Sequence, residues 1–272
     1  MSLLPMTDGI YLGANLLVPP MPPIPNTPAP WIQLNSDGGI VAVNLDNLRD
    51  AACLFRGMGF QGDILTIENI PEATNLNSLL QDNKTIEVLN LFCSSNHLAN
   101  ITGFAGASVL RQIHVEIPNL VGTFGGFSDC QQLETAVLIL PSCTAVAQNL
   151  FSSCSKLTSL TLVVPKLTAA QYLVYNCTAL PAFSGDFPNL AEAHHCWRNT
   201  PSLVKFNVTW PNISNLSGAF HNSGLGADEI NKILHSLPTY TSGSHVITFT
   251  GCPGAATCDP SIGTAKGWTV QI

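Results

Sequence analysis

The 272-residue sequence predicts a solenoid of short parallel β-strands, a β-rich α/β fold of about eight coils. Three registers predict it, and all advance together by 22 to 25 residues. Prolines fall at Pro71, Pro118, Pro141, Pro165, Pro188 and Pro211, with Ser94 in the one missing place. Pairs of strand residues recur at Val41/Val43, Leu65/Ile67, Leu89/Leu91, Ile113/Val115, Ala136/Leu138, Leu160/Leu162, Phe183/Gly185 and Phe206/Val208. A large apolar residue returns at Phe55, Leu80, Phe104, Phe127, Phe151, Val174, Trp197 and Phe220.

Each unit runs as Leu157–Cys177 does. Alternate strand residues share a face, so Leu160 and Leu162 turn inward and Thr161 turns out. Pro165, with no N–H, then stops the strand, because a proline cannot continue a ladder. One such unit cannot bury its apolar side alone. Stacking copies about 4.8 Å apart buries it, and eight coils then span about 40 Å. A further ladder of small residues reads Met58, Asn83, Ala107, Cys130, Cys154, Cys177, Thr200 and Ser223. Reduced cysteine suits a small buried slot, so the three cysteines there are expected as buried thiols.

The passage Leu157-x-x-Leu160-x-Leu162-x-x-Pro165, together with Phe151-Ser-Ser-Cys154-Ser-Lys-Leu157, resembles the leucine-rich repeat, and more narrowly the BspA-type repeats of bacterial and phage surface proteins. The resemblance covers about two thirds of the chain. It implies a leucine-rich-repeat solenoid serving as a binding or display scaffold. The ending Thr250-Gly-Cys-Pro-Gly, with Asp259-Pro-Ser-Ile and Ala265-Lys-Gly-Trp-Thr-Val, resembles the segment that follows such repeats in phage and gut-bacterial proteins.

In chain order, residues 1–38 form a proline-rich N-terminal arm. Val18 to Trp31 has the composition of an extended polyproline-II segment, either a linker or a docking arm. Docking is the preferred reading, with Tyr11, Leu16, Leu17, Met21, Ile24 and Trp31 as apolar anchors on a segment that loses little entropy when ordered. Residues 39–225 are the solenoid, whose first coil is atypical, as terminal repeats are. Residues 226–272 form a C-terminal cap with a helix and two strands that should extend the ladder by two coils. Apolar residues at 230, 233, 234 and 237 mark the helix, with Asp228 and Glu229 at its start and Pro238 ending it. A strand at His245–Thr250 follows. Then come a short helix opened by Asp259-Pro260 and closed by Lys266-Gly267, and a last strand at Trp268–Ile272.

Charged residues make up only 10% of the chain against about 25% in ordinary domains. The net charge is −7 with ten Lys plus Arg, which argues against nucleic acid as partner. No run of 18 apolar residues predicts a membrane-inserted helix. With Arg49 the first basic residue, no secretory signal is visible, so the chain is expected either already processed or released by another route such as lysis. Of the nine cysteines, Cys252 and Cys258, flanking Pro-Gly-Ala-Ala-Thr, are the best disulfide candidates.

The search for chemistry yields little. His194-His195-Cys196 looks reactive, but its neighbours alternate in direction and no second ligand pair lies within two coils. Asn222-Ser223-Gly224 and Gly106-Ala-Ser108 fail the nucleophile-elbow pattern, and Gly122-Thr-Phe-Gly-Gly126 lacks the Lys-Ser/Thr of a phosphate loop. No enzyme, metal or cofactor is expected. The outward strand residues Thr66, Asn90, His114, Thr161, Ser184 and Asn207, with Val137 among them, form a mostly polar ribbon. That ribbon is either a solvated face or a binding face for carbohydrate or protein. Two functional classes are therefore expected. The first is a bacteriophage virion structural protein, a tail fibre or capsid decoration on the virion surface. Residues 1–38 would dock it to other virion proteins, its repeats would meet a host glycan or protein, and the chain would assemble as a homo-oligomer, here a trimer. The alternative is an adhesin on a bacterial cell surface.

Overall fold

The computed structural model describes residues 64–272 and, before them, residues 10–12, 15–18, 31–34, 40–44 and 52. Strands β1 (Ile10–Leu12), β2 (Asn15–Val18), β3 (Trp31–Leu34), β4 (Ile40–Asn44), β5 (Ile64–Asn69), β6 (Val88–Phe92) and β7 (Gln112–Glu116) come first. Then follow β8 (Thr123–Phe124), β9 (Thr135–Ile139), β10 (Ala145–Val146), β11 (Ser159–Val163), β12 (Ala169–Gln171), β13 (Ala182–Asp186), β14 (Glu192–His194) and β15 (Lys205–Thr209). The chain ends with α1 (Ala227–Ser236), β16 (His245–Thr248), α2 (Ser261–Thr264) and β17 (Trp268–Gln271).

These elements build a β-solenoid of about nine coils. One side is a seven-stranded sheet in the order β3-β4-β5-β6-β7-β9-β11, parallel from β4 onward. Its register is that of the sequence pairs: Leu65 lies beside Leu89, Leu89 beside Ile113, Ile113 beside Ala136 and Ala136 beside Leu160. Phe183 and Gly185 pair with Phe206 and Val208 in the separate two-stranded sheet of β13 and β15. The second side is a discontinuous ladder of short strands. It joins β8 to β10, β12 to β14 and β16 to β17, with bridges Ile101–Phe124, Glu192–Asn215 and Leu216–Ile247 between them.

The third side is a turn in which most described coils hold two residues in the left-handed conformation. Those residues include Asn149 with Ser153, Tyr172 with Asn176, and His195 with Asn199. Asn tolerates positive φ better than most residues because its short amide can bond locally. Here the amides also bond along the stack. Asn199 Nδ2 donates to Asn176 Oδ1 at 2.9 Å, and Asn222 Nδ2 donates to Asn199 Oδ1 at 3.2 Å. A second amide row explains the Pro-Asn pairs. Asn189 Nδ2 donates to the Pro165 carbonyl at 2.9 Å, and Asn212 Nδ2 to the Pro188 carbonyl at 2.7 Å.

The core is a set of interior rows. Phe104, Phe127 and Phe151 stack at centroid distances of 4.7 and 5.7 Å, and Trp197, Phe220 and Phe249 continue at 5.2 and 5.3 Å. All six are fully buried. The residue before each proline, and before Ser94 in the coil that lacks one, forms a row that the sequence registers did not single out: Ile70, Cys93, Ile117, Leu140, Val164, Phe187 and Trp210, all buried. The small-residue row holds buried thiols as expected. Cys154 Sγ donates to the Phe127 carbonyl at 3.2 Å and Cys177 Sγ to the Phe151 carbonyl at 3.0 Å. Burial pushes the thiols of Cys130 and Cys177 up to about 12. Phe55 and Met58 lie outside the described residues.

Two expectations need correction. The sheet is not one continuous ladder, because β11 pairs only with β9 and β13 only with β15. The neighbouring coils send an amide back at the strand start: Arg111 N–H to the Glu87 carbonyl, Glu134 to Arg111, Thr158 to Glu134 and Val204 to Pro181. At the position where Thr158 should receive its partner stands Pro181, which has no N–H to give. Gly185 compounds the break. It occupies an inward slot filled elsewhere by Leu138, Leu162 or Val208, and the Phe187 ring lies where its Cβ would be, 2.5 Å from that point.

The second correction concerns the cap. Strands β16 and β17 do add two coils, but to the short-strand side, through Leu216–Ile247. The free edge of β15 is covered instead by α1. Glu229 Oε1 accepts the Phe206 N–H at 2.8 Å and Ser236 Oγ accepts the Trp210 indole N–H at 3.2 Å. A charged side chain thus blocks an edge that would otherwise invite another strand. Helix α1 buries Ile230, Ile233 and Leu234 beneath it.

Candidate interaction surface

The outward residues of the sheet share one row because parallel register places equivalent positions side by side. Thr66, Asn90, His114, Val137 and Thr161 are successive partners, and Ser184 partners Asn207 beyond the break. The row divides by exposure. Thr66, Asn90, His114 and Val137 are half-buried, whereas Thr161, Ser184 and Asn207 are exposed. In the first half the side chains satisfy one another. Asn90 Nδ2 donates to Thr66 Oγ1 at 3.2 Å, and His114 Nε2 lies 2.7 Å from Glu116 Oε1 with its ring 5.1 Å from that of Phe92. Below the row, Arg111 bridges Glu87 at 3.1 Å and Glu134 at 3.4 Å. In the second half no hydrogen bond joins Thr161, Ser184 or Asn207 side chains to a neighbour among the described residues.

A cleft of about 330 Å³ opens on the outer face at the break. It is lined by Leu160, Thr161, Leu162 and Val163 on one strand, Ser184, Gly185 and Asp186 on the other, and Pro165 at its end. Leu160 is half-buried here, while its row partners Leu89 and Ala136 are fully buried. Sequence reasoning nominated Thr161 and Ser184 but missed Asp186 and the break itself. The signal was present as Pro181, a proline one residue before a strand and out of step with the proline register. A smaller hollow of about 240 Å³ lies between β15 and α1, floored by Phe206 and Ile233 and edged by Asn207, Glu229 and Lys232.

Of the arm residues, Tyr11 lies in β1, Leu16 and Leu17 in β2, and Trp31 in β3, while Met21 and Ile24 lie outside the described residues. Strands β1 and β2 pair antiparallel, and β3 pairs antiparallel with β4, so the sheet begins within the segment numbered 1–38.

The reactive-looking cluster is dispersed. His194 Nε2 lies 3.4 Å from Glu192 Oε2. His195 stacks on Tyr172 at 5.1 Å, with its ring held low in pKa by desolvation and then by Arg198 and His194. Cys196 is buried, its thiol pushed up to about 12. Among the described residues no three His, Cys, Asp or Glu side chains gather as a metal site, and no helix is long and apolar enough to cross a membrane. Cys252 and Cys258 are free thiols, not a disulfide. Cys252 Sγ donates to the Phe220 carbonyl at 3.0 Å, as Cys154 and Cys177 do to Phe127 and Phe151, and Cys258 Sγ bonds the Ala255 carbonyl at 3.3 Å. No protein-family model and no curated protein matches the chain.

Proposed function

We propose that this chain is a non-enzymatic display protein of a bacteriophage virion, a tail fibre or capsid decoration. Its N-terminal region would dock on other virion proteins and its solenoid would present a neutral polar face to a host glycan or protein. The observation that carries the reading is the exposed stretch Thr161, Ser184 and Asn207 on a column held rigid by stacked interior rows. Hydroxyls and amides there offer hydrogen bonds without charge, on a chain whose charged content is only 10%. The proline-rich arm and the resemblance to BspA-type repeats add support for docking and display. Such proteins are often three-fold, so a homotrimer is the proposed assembly.

The test is immunogold electron microscopy with antibodies against residues 64–272, applied to particles and to the bacteria that release them. Labelling at a regular position on the virion is the expected result. Label confined to the bacterial envelope would overturn it in favour of a cell-surface adhesin.

A further inference from the structure

The break between β11 and β13 has a chemistry of its own. At its lower end the Thr158 carbonyl meets Pro181, which has no N–H, where each neighbouring coil returns an amide. At the upper end the Cys93, Ile117, Leu140 and Phe187 amides each bond the next coil's carbonyl, but no bond runs from Val164 to Asp186. The two strands therefore face each other with edge amides and carbonyls that no ladder partner takes up. Such groups are strong donors and acceptors and require partners, from water or from a ligand. Around them the cleft gathers the exposed hydroxyls of Thr161 and Ser184, the Asp186 carboxylate, and the apolar flanks of Leu160, Leu162 and Val163.

We infer that this seam is a binding cleft for a neutral saccharide. The inference rests on the display reading above and locates its glycan contact. Several physical constraints select the ligand class. A sugar ring carries hydroxyls that both donate and accept, matching an edge of alternating N–H and C=O groups, and it carries an apolar C–H face for the exposed Val163. The cleft's volume, about 330 Å³, lies at the small end of ligand pockets, which run from about 300 to 1,000 Å³. An inserted peptide strand is excluded by width. It would need two ladder spacings, about 9.6 Å, whereas Cα atoms of β11 and β13 still approach within 8 Å. Acidic sugars are disfavoured, because Asp186 stands at the cleft and the chain carries a net charge of −7. A carboxylate beside vicinal hydroxyls accepts two charge-assisted hydrogen bonds, the strongest kind available to a neutral sugar.

Saturation-transfer NMR of the full chain with neutral hexoses, N-acetylhexosamines and their disaccharides, and with uronic acids as the charged control, tests the assignment. At least one neutral sugar should receive saturation from the protein, and uronic acids should not. The double variant Asp186→Asn with Ser184→Val, both at exposed positions, should weaken that sugar about tenfold or more, by the loss of a charge-assisted bond. Gln112→Ala, exposed on β7 two strands away from the seam, should bind as the unaltered chain does. Circular dichroism and thermal melts establish that each variant keeps the fold. The inference is overturned by neutral-sugar binding that survives the double variant or is equally lost in Gln112→Ala. In those cases glycan contact elsewhere on the face stands and only the seam falls. Absence of transfer to every neutral sugar also overturns it, leaving virion labelling to decide the display reading independently.

Discussion

The two halves of the strand face were built from the same repeat, yet one is a continuous sheet and the other a pair of strands with an open flank. From β5 to β11 each inward pair is a good fit for its neighbours, and each coil returns its amides to the one before. Between β11 and β13 the inward pattern persists, as Phe183 and Gly185, but the ladder does not. The difference teaches that interior periodicity and strand pairing are separable. Apolar rows set where a coil stacks, whereas one missing N–H, at Pro181, decides whether its edge is bonded. The opposite side of the same coils stays joined, with the Tyr172 amide on the His194 carbonyl at 3.0 Å and the Val174 amide on Cys196 at 2.9 Å. The break is therefore confined to one face.

The largest effect that would sharpen this contrast comes from the core. Phe127→Ala, in the middle of a stack of three buried rings, should cost about 3–5 kcal/mol in chemical denaturation. Phe183→Ala beside the seam should cost clearly less, because water can enter the cleft and neighbours can relax into it. Equal losses would mean that the seam is as tightly packed as the continuous sheet.

A middle effect belongs to the covered edge of β15. Burial alone would raise the Glu229 carboxyl, but the Phe206 N–H, and then Lys232 at 3.0 Å, outweigh it and hold it below the usual range. A depressed folded-state pKa stabilises above the unfolded value, near pH 4.3, and that contribution disappears as pH falls through the folded value. Glu229→Gln should cost about 1–2 kcal/mol at pH 7, by loss of the charge-assisted bond. Its melting temperature should also fall less steeply than that of the unaltered chain below about pH 4. Parallel pH profiles for the two would show that α1 covers the edge without using this charge.

The smallest effect in energy is the most local. Pro181→Thr supplies the absent donor to the Thr158 carbonyl. The bond adds about 1 kcal/mol, and freeing the unfolded chain of a proline removes up to about the same. Stability should hardly change, yet amide exchange at Val164 and across β13 should slow as the ladder closes. Unaltered exchange there would place the cause of the break in Gly185 and Phe187 rather than in the proline.

Much of this was readable beforehand because stacking repeats turns a sequence period directly into a spatial row. Leu89, Ile113, Ala136 and Leu160, each a coil apart in sequence, occupy one interior row as the register of about 24 residues required. Cys130, Cys154 and Cys177 share another for the same reason. The site was legible only in part. Thr161 and Ser184 follow from alternation, but Asp186 matters only because a cleft opens beside it.

By itself, then, the sequence determined the coil length, the inward and outward faces, the helix of the cap and the burial of the thiol row, since all four follow from local alternation and period. Tertiary structure decided which side of the column β16 and β17 extend, that α1 would cover β15, and that the strand face would part at Pro181. Those outcomes depend on which backbone groups meet across coils, and a donor missing from one coil is felt only where another coil's carbonyl waits for it.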